Sequence, residues 1–207
     1  MNKKMFKSMI VLVSAIFMFA IVPAAMAGYI GNPRASVDEG EMALGLVYDM
    51  VNRDYEVGNA EFDADTDRTL LKGIYGVIDG LDLYAMVGTT KVEDDGSGTG
   101  IGLGLKKNLE LGGFDCGFVL QGLKYDSDNS DQTDIDVAFG TTREVINDMI
   151  VYGGAMFSTD SGDADESDQL GIFIGAEYPL TSELAVGGEF RAICETSISL
   201  AVTYAFD

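Results

Sequence analysis

A two-residue alternation of apolar and small side chains is the feature that most constrains this fold. It is clearest in residues 198–206, where every second residue is apolar and the others are Ser, Ala or Thr. A period of two is that of a β-strand with one apolar face. After residue 27, no segment of useful length has the 3.6-residue period of an amphipathic helix. The sequence therefore predicts an all-β fold.

The same alternation recurs between turns rich in Gly, Asp and Asn, and it predicts ten strands, with eight as the alternative. Nine strands precede the terminal one, at residues 41–51, 67–78, 81–92, 99–105, 114–125, 133–143, 150–159, 169–178 and 184–193. An even number allows an antiparallel up-and-down sheet to close with both ends of the chain on one side. Closure requires the last strand to pair antiparallel with the first.

Residues 1–27 have the layout of a cleaved signal peptide. Three lysines (Lys3, Lys4 and Lys7) precede an uncharged apolar run over residues 9–22, and Ala25-Met26-Ala27 matches a cleavage site. The run is shorter than the roughly 20 residues that a membrane-spanning helix needs, so an N-terminal anchor is the weaker alternative. We expect a mature chain from Gly28, with a mobile lead-in over 28–40 and one domain over 41–207.

The chain is strongly acidic, and the acidity is concentrated at one end of the predicted sheet. The formal charge is −21, and removal of the three lysines of residues 1–27 lowers it to −24, which disfavours nucleic-acid partners. Half of the acidic residues, 17 of 34, lie in five connections that contain one basic residue, Arg53. These are residues 52–66, 93–98, 126–132, 160–168 and 194–195. The connections at the opposite end are shorter.

Aromatic residues cluster at the end of the strands that has the short turns. This set predicts a girdle at a membrane interface, where amphipathic rings prefer to lie. Its members are Tyr75, Phe114, Tyr152, Tyr178, Tyr204 and Phe206. Tyr48 and Tyr125 are the candidates for a thinner girdle at the opposite end.

These features together resemble small Gram-negative outer-membrane β-barrel proteins, including the porin-like outer-membrane β-barrel domain families. The resemblance rests on the alternating strands, the one-sided aromatic and acidic ends, and Phe206 in the closing strand. It implies a closed antiparallel up-and-down transmembrane β-barrel with short periplasmic turns, acidic external loops and a periplasmic lead-in. It also implies insertion by the barrel-assembly machinery and contact with outer-membrane lipid and lipopolysaccharide. A soluble β-sandwich would not account for all three features together.

The face opposite the apolar row is dominated by Gly, Ala, Ser and Thr, which leaves room for a narrow, water-filled passage but not for a wide porin channel. The sequence leaves open whether the lumen is open or plugged. The charged residues predicted to line it are Asp49, Lys72, Asp115, Asp136, Glu177, Glu189 and Arg191. Charges in a narrow lumen must be hydrated or paired. Two interpretations stay open, an ion-pair network and an acidic path that prefers cations.

No catalytic site is predicted, because the chain lacks histidine and shows no nucleophile and base constellation. The acidic stretches 63–67 and 126–131 begin like calcium loops, but Arg68 and Asp131 occupy the required glycine position. We therefore predict no cofactor and no defined metal site, with weak divalent-cation binding at the loops as the alternative. The predicted function is a non-enzymatic barrel, either a narrow cation-preferring pore or a passive structural protein. A surface adhesin that acts through the acidic loops is the alternative.

The two cysteines, Cys116 and Cys194, fall near opposite ends of the predicted strands. That separation exceeds the Cα distance that a disulfide permits. The sequence therefore predicts two unpaired thiols, although an even number of cysteines in an exported protein usually indicates a disulfide.

Overall fold

The computed structural model describes residues 29–57, 60–92, 96–126, 131–146, 148–162, 165–166, 170–193 and 195–206. The predicted signal peptide lies outside these residues. Within them, no helix is long and apolar enough to cross a membrane.

The described chain forms one antiparallel sheet whose strands follow each other in sequence order. The strands are β1 (Met42–Val57), β2 (Ala60–Ile78), β3 (Leu81–Val92), β4 (Gly96–Leu111), β5 (Phe114–Asp126), β6 (Asp131–Glu144), β7 (Ile150–Gly162), β8 (Asp165–Glu166), β9 (Leu170–Pro179), β10 (Leu184–Ala192) and β11 (Thr196–Phe206). All of them except β8 form a closed up-and-down barrel of ten strands, so that prediction is confirmed. The two-residue β8 adds to the far end of β1.

The first and last strands of the barrel close it. β1 and β11 pair antiparallel in continuous register from Met42 with Phe206 to Asn52 with Thr196. The predicted closing pair is therefore confirmed. Closure leaves no open sheet edge, which is the condition for a β-structure to cross a bilayer.

The outer surface of the barrel is an apolar band. On β1 and β11, the outward rows are continuous and each member is about half exposed: Met42, Leu44, Leu46, Tyr48 and Met50, then Ile198, Leu200, Val202, Tyr204 and Phe206. A similar outward row lies on β9 and consists of Leu170, Ile172 and Ile174. An apolar surface of this extent is typical of a lipid-facing barrel and far exceeds the exposed patches of soluble monomers.

Several predicted loops are shorter in the structure, because the strands continue into them. Residues 52–66, predicted as an acidic loop, mostly belong to a long hairpin in which β1 and β2 pair as far as Val57 with Ala60. β4 also begins before residue 99 and extends to Leu111. These extensions are rich in acidic or small residues and therefore show no apolar alternation, although the backbone ladder continues.

The four short turns define one end of the barrel, which we call the short-turn end. They follow β2, β4, β6 and β9. The Asp79-Gly80 turn closes the predicted hairpin, with Ile78 paired to Leu81 and a positive φ of 73° at Gly80. Gly112 and Gly113, with φ of 61° and 84°, form another turn. These backbone conformations favour glycine.

The lumen contains a packed core, so the passage that the small inward residues left possible is filled in the structure. Apolar side chains form part of it, among them Leu70, Met86, Val119, Leu123, Met156 and Phe173. Two tyrosine rings lie over glycines of neighbouring strands, Tyr84 over Gly104 and Tyr152 over Gly175. The glycines therefore provide room for rings from adjacent strands rather than for a water column.

Candidate functional site

Residues 29–38, which we call the lumen segment, lie inside the barrel. At the short-turn end, the N–H of Gly40 donates to the carbonyl of Gly76 at 2.8 Å. From there the segment reaches Glu189, about halfway along β10, and Ile30 is fully buried. For residues 29–40 this differs from the mobile lead-in that the sequence predicted. The segment lacks a periodic apolar face because it is held largely by its main chain.

Glu189 binds the lumen segment at Ile30 and Gly31 through two consecutive main-chain groups. The N–H of Ile30 donates to Oε1 at 3.1 Å, and the N–H of Gly31 donates to Oε2 at 2.9 Å. Each hydrogen bond to a buried carboxylate contributes about 1.5 to 3 kcal/mol. One lumenal side chain therefore fixes the orientation of the innermost peptide units.

Three further side chains bind the main chain nearer the short-turn end. Lys106 Nζ donates to the carbonyl of Asn32. Asn108 accepts from the N–H of Ala35 at 2.7 Å and donates to the carbonyl of the same residue at 3.4 Å. Asp82 accepts from the N–H of Ser36 at 2.8 Å. Together with Glu189, these side chains form what we call the cradle.

Glycines line the part of the barrel wall that the lumen segment approaches. A Cβ at Gly117 would lie 2.7 Å from the main-chain nitrogen of Arg34, and one at Gly76 would lie 2.6 Å from the carbonyl oxygen of Val37. Both distances are too short for any side chain. Because the wall carries only hydrogen at these positions, the segment packs against it backbone to backbone.

A buried ion cluster lies further from the short-turn end. Arg191 Nη2 is 3.0 and 2.9 Å from the two carboxylate oxygens of Asp49, and Ser199 Oγ donates to Asp49 at 2.6 Å. Arg68 Nη1 lies 3.7 Å from the same carboxylate. Arg191 also pairs with Glu189 and Glu195. The side chains of Asp49, Arg68, Glu189, Arg191 and Glu195 are all 0% exposed, so the cluster is buried in the lumen at this level.

Of the seven predicted lumen-lining residues, six face the interior. Asp49, Asp136, Glu189, Arg191 and Lys72 are buried, and Glu177 is half-buried. Asp115 lies instead at the exposed short-turn rim, where it pairs with Arg34 of the lumen segment at 3.3 Å. Asp115 is the second residue of β5, so it has the inward parity but lies too near the strand end to be covered.

Sequence reasoning missed other buried polar residues of the lumen. Arg68 and Lys106 are among them. Arg68 has the inward parity of Lys72 on β2, and Lys106 has the parity of Gly104 on β4, over which the Tyr84 ring lies. Tyr84 also faces inward, donating to Gln121 at 2.7 Å, and Gln121 donates to Asp136 at 3.0 Å. The alternation of inward and outward positions along each strand is the sequence signal that identifies these residues as lumenal.

Most members of the predicted aromatic girdle lie on the outer face, and their location at a membrane interface stays a prediction. Phe114, Tyr178, Tyr204 and Phe206 are 40 to 69% exposed at the short-turn end. Tyr75 points outward and is half-buried. The rings of Tyr204 and Phe206 pack edge to face at a centroid distance of 5.0 Å.

Two aromatic predictions are wrong, because the residues have inward parity. Tyr152 is 3% exposed, packs beside Phe173, and its hydroxyl lies 3.4 Å from that of Tyr29. Tyr125 is also buried, with the guanidinium of Arg68 5.5 Å from its ring centroid. Tyr48 does face outward and donates to Asp67 at 3.2 Å.

Among the described residues, the acidic side chains are not grouped for metal binding, and one cysteine has a free thiol. No group of three or more His, Cys, Asp or Glu in this part of the chain is arranged to hold a metal ion. Cys116 is buried with a free thiol. Cys194 lies outside the described residues, and the prediction of two unpaired thiols therefore stays a prediction.

The closed ten-stranded sheet, apolar outer band and polar lumen define a transmembrane β-barrel of the outer-membrane type. No protein-family model matches this chain, and no curated protein matches it. Among solved structures, an outer-membrane channel from Pseudomonas putida F1 is 10% identical and aligns over 87% of this chain and 100% of its own, with a TM-score of 0.55. At that identity the likeness shows the fold.

Two other barrels are less similar. The translocator domain of the autotransporter NalP from Neisseria meningitidis is 9% identical, covers 82% of this chain and 89% of its own, and has a TM-score of 0.47. The KdgM porin is 10% identical, covers 80% of this chain and 99% of its own, and has a TM-score of 0.43.

Proposed function

We propose that this protein is a non-enzymatic channel of the outer membrane whose lumen is closed at rest by residues 29–38. The observation that carries the proposal is the way the lumen segment is held. Four cradle side chains bind its main chain, and glycines at Gly76 and Gly117 leave room for it. If the predicted cleavage after residue 27 takes place, the segment is attached to the barrel only through residues 39–41. A segment attached in this way and bound by hydrogen bonds can leave and return, which suits a gate.

The lumen charges favour cations once a path is open. Buried charged side chains of the described residues include six acids and four bases, and half-buried Glu177 adds another acid. They are Asp49, Asp82, Asp134, Asp136, Glu189 and Glu195, with Arg68, Lys72, Lys106 and Arg191. An acidic lining concentrates cations and repels anions. The proposed channel is therefore narrow and cation-preferring.

The location follows from the fold and from the predicted signal peptide. A closed barrel with an apolar outer band belongs in a lipid bilayer, and the outer membrane is the proposed one. Lipid and lipopolysaccharide would surround the band, and the barrel-assembly machinery would insert it. The chain has no histidine, and we propose no catalytic role.

A passive structural barrel is the second candidate, and the ion cluster favours it. Asp49 and Arg191 are fully buried and paired, so they occupy the interior beyond the lumen segment. In a structural barrel the cluster and the segment would only fill the interior. The adhesin alternative depends on acidic loops that lie partly outside the described residues.

Conductance in planar bilayers separates the two candidates. The test compares the full-length protein with a variant that carries Ile30→Asp and Ala35→Pro. The first substitution places a charge at a fully buried site beside Glu189. The second removes the N–H that donates to Asn108. We expect steady openings in this variant and brief or no openings in the parent. Heat-modifiable gel migration confirms that each barrel is folded.

The matched control is Arg34→Ala, which removes a partly exposed rim pair and should leave conductance near that of the parent. A folded but silent Ile30→Asp, Ala35→Pro variant would support the structural candidate. Adding Asp49→Asn and Arg191→Gln then tests whether the ion cluster is a second closure. Silence of that combined variant, again with a folded barrel, would overturn the channel proposal.

A further inference from the structure

We propose that the cradle is a binding site for the main chain of short peptides in the conformation of the lumen segment, and that such peptides are the ligands of this barrel. The inference rests on the proposed gating role of the lumen segment and names the class of solute that replaces it. In the structure, the cradle binds the main chain of the lumen segment, so the protein itself supplies a peptide that occupies the site.

The first argument is the pattern of donors and acceptors. Along the segment, Glu189 accepts from two N–H groups, Lys106 donates to a carbonyl, Asn108 both accepts and donates at one residue, and Asp82 accepts from an N–H. Peptide main chains present donors and acceptors in this mixture, and the amide of Asn108 matches both groups of a single residue. The cradle therefore reads a backbone rather than a particular side chain.

The second argument is the glycine wall. At Gly117 the nearest atoms to an added Cβ belong to the main chain of Pro33 and Arg34, and at Gly76 to that of Val37 and Asp38. Side chains would hold the ligand away from the wall. Because these wall positions are glycines, a peptide backbone can approach the wall closely.

The third argument concerns the charge of the site. Two of the four cradle groups, Glu189 and Asp82, are carboxylates, Lys106 is a base, and Glu177 and Lys72 lie nearby. Three acids against two bases disfavour an acidic oligosaccharide or a phosphate, whereas uncharged amide N–H groups are suitable donors to the carboxylates. One side-chain preference is also expected. Gly31 has a φ of 67°, and a Cβ there would lie 2.9 Å from the Tyr29 ring, so glycine is favoured at this position.

The experiment uses the full-length barrel with Ile30→Asp and Ala35→Pro, in which the lumen segment is displaced and the cradle is intact. The probe is a synthetic peptide of residues 29–38, acetylated and amidated, with a fluorophore at its C-terminal end. Anisotropy measures its binding to the detergent-solubilised barrel, and block of current measures it in bilayers.

Two altered peptides separate backbone recognition from side-chain recognition. N-methylation at Ile30 and Ala35 removes the N–H groups that Glu189 and Asn108 accept, and we expect binding to weaken by about tenfold or more. A peptide with Tyr29→Phe and Arg34→Ala changes side-chain contacts and should bind within about threefold of the parent. Equal binding of the N-methylated peptide, or loss of binding with the side-chain changes, would overturn the inference.

Barrel variants provide the reciprocal test. Asn108→Leu in the displaced-segment barrel should weaken peptide binding by about tenfold, whereas Glu183→Gln in an exposed turn should not change it. Conductance and peptide binding test the channel and the peptide site separately. Binding without conductance contradicts the channel but keeps the peptide site, and conductance without binding contradicts the peptide site but keeps the channel.

Discussion

Arg191 and Asp49, separated by 142 positions in the chain, meet in the lumen with one guanidinium nitrogen about 3 Å from both carboxylate oxygens. They lie on β10 and β1, on either side of the closing strand β11. Ser199 on β11 donates to the same carboxylate. Together with Ser199, the pair therefore connects three strands where the barrel closes. It can form only when β1 and β10 lie on either side of β11, which is the arrangement of the closed barrel.

Breaking this pair should destabilise the barrel strongly. Arg191→Met leaves the Asp49 carboxylate buried without its main partner, and we expect a loss of about 3 to 5 kcal/mol in the free energy of unfolding. Urea titration in detergent, followed by heat-modifiable gel migration, measures it. Asp126→Ala is the matched control, because the exposed Lys124 pair at 3.0 Å should contribute no more than about 1 kcal/mol. Similar losses in the two variants would contradict the role of the buried pair.

Substitution of a wall glycine should expel the lumen segment without breaking the sheet. Gly117→Val places a Cβ against the main chain of Pro33 and Arg34, so we expect amide hydrogens of Ile30 and Ala35 to exchange much faster. Hydrogen exchange with mass spectrometry measures this. In Gly73→Ala, the added Cβ has nothing within 4 Å, and protection of the segment should be unchanged. Retained protection in Gly117→Val would show that the wall can yield.

Strand parity explains which parts of this lumen were predictable. Glu189 and Arg191 share the inward face of β10 with Gly187, and the same parity places Arg68 on β2 and Lys106 on β4 inward. Position along the strand places Tyr152 in the girdle, but its parity on β7 directs it into the lumen. The sequence carries no such signal for the lumen segment, since hydrogen bonds between its main chain and the side chains of Glu189 and Asn108 leave no pattern in its own side chains.

The corrected aromatic girdle can be tested by fluorescence, because the chain contains no tryptophan. Phe114→Trp should report a lipid interface and be quenched strongly by brominated phospholipid, since Phe114 is 69% exposed on the outer surface. Tyr152→Trp should be quenched little, because that position faces the packed lumen. Equal quenching at both positions would contradict the inward parity of β7.

The thiols give a further test of strand placement. Because Cys116 is buried and free, a maleimide should label it slowly in the folded barrel and fully after denaturation. If Cys194 is unpaired as predicted, intact mass after denaturing, non-reducing alkylation should show two adducts per chain. A chain that takes none until it is reduced would contain the disulfide that the strand map argues against.

Ion selectivity tests the electrostatics of the lumen. In the Ile30→Asp, Ala35→Pro barrel, a tenfold KCl gradient should give a reversal potential of the sign that indicates K⁺ preference, because acids outnumber bases among the buried lumen charges. Replacing Asp136 and Glu177 with the neutral amides should reduce that potential, since each substitution removes one negative group from the lining. Asp79→Asn, at an exposed turn outside the lumen, should leave it unchanged. A reversal potential that indicates chloride preference would mean that Arg68, Lys72, Lys106 and Arg191 dominate the path, and the proposed cation preference would be wrong.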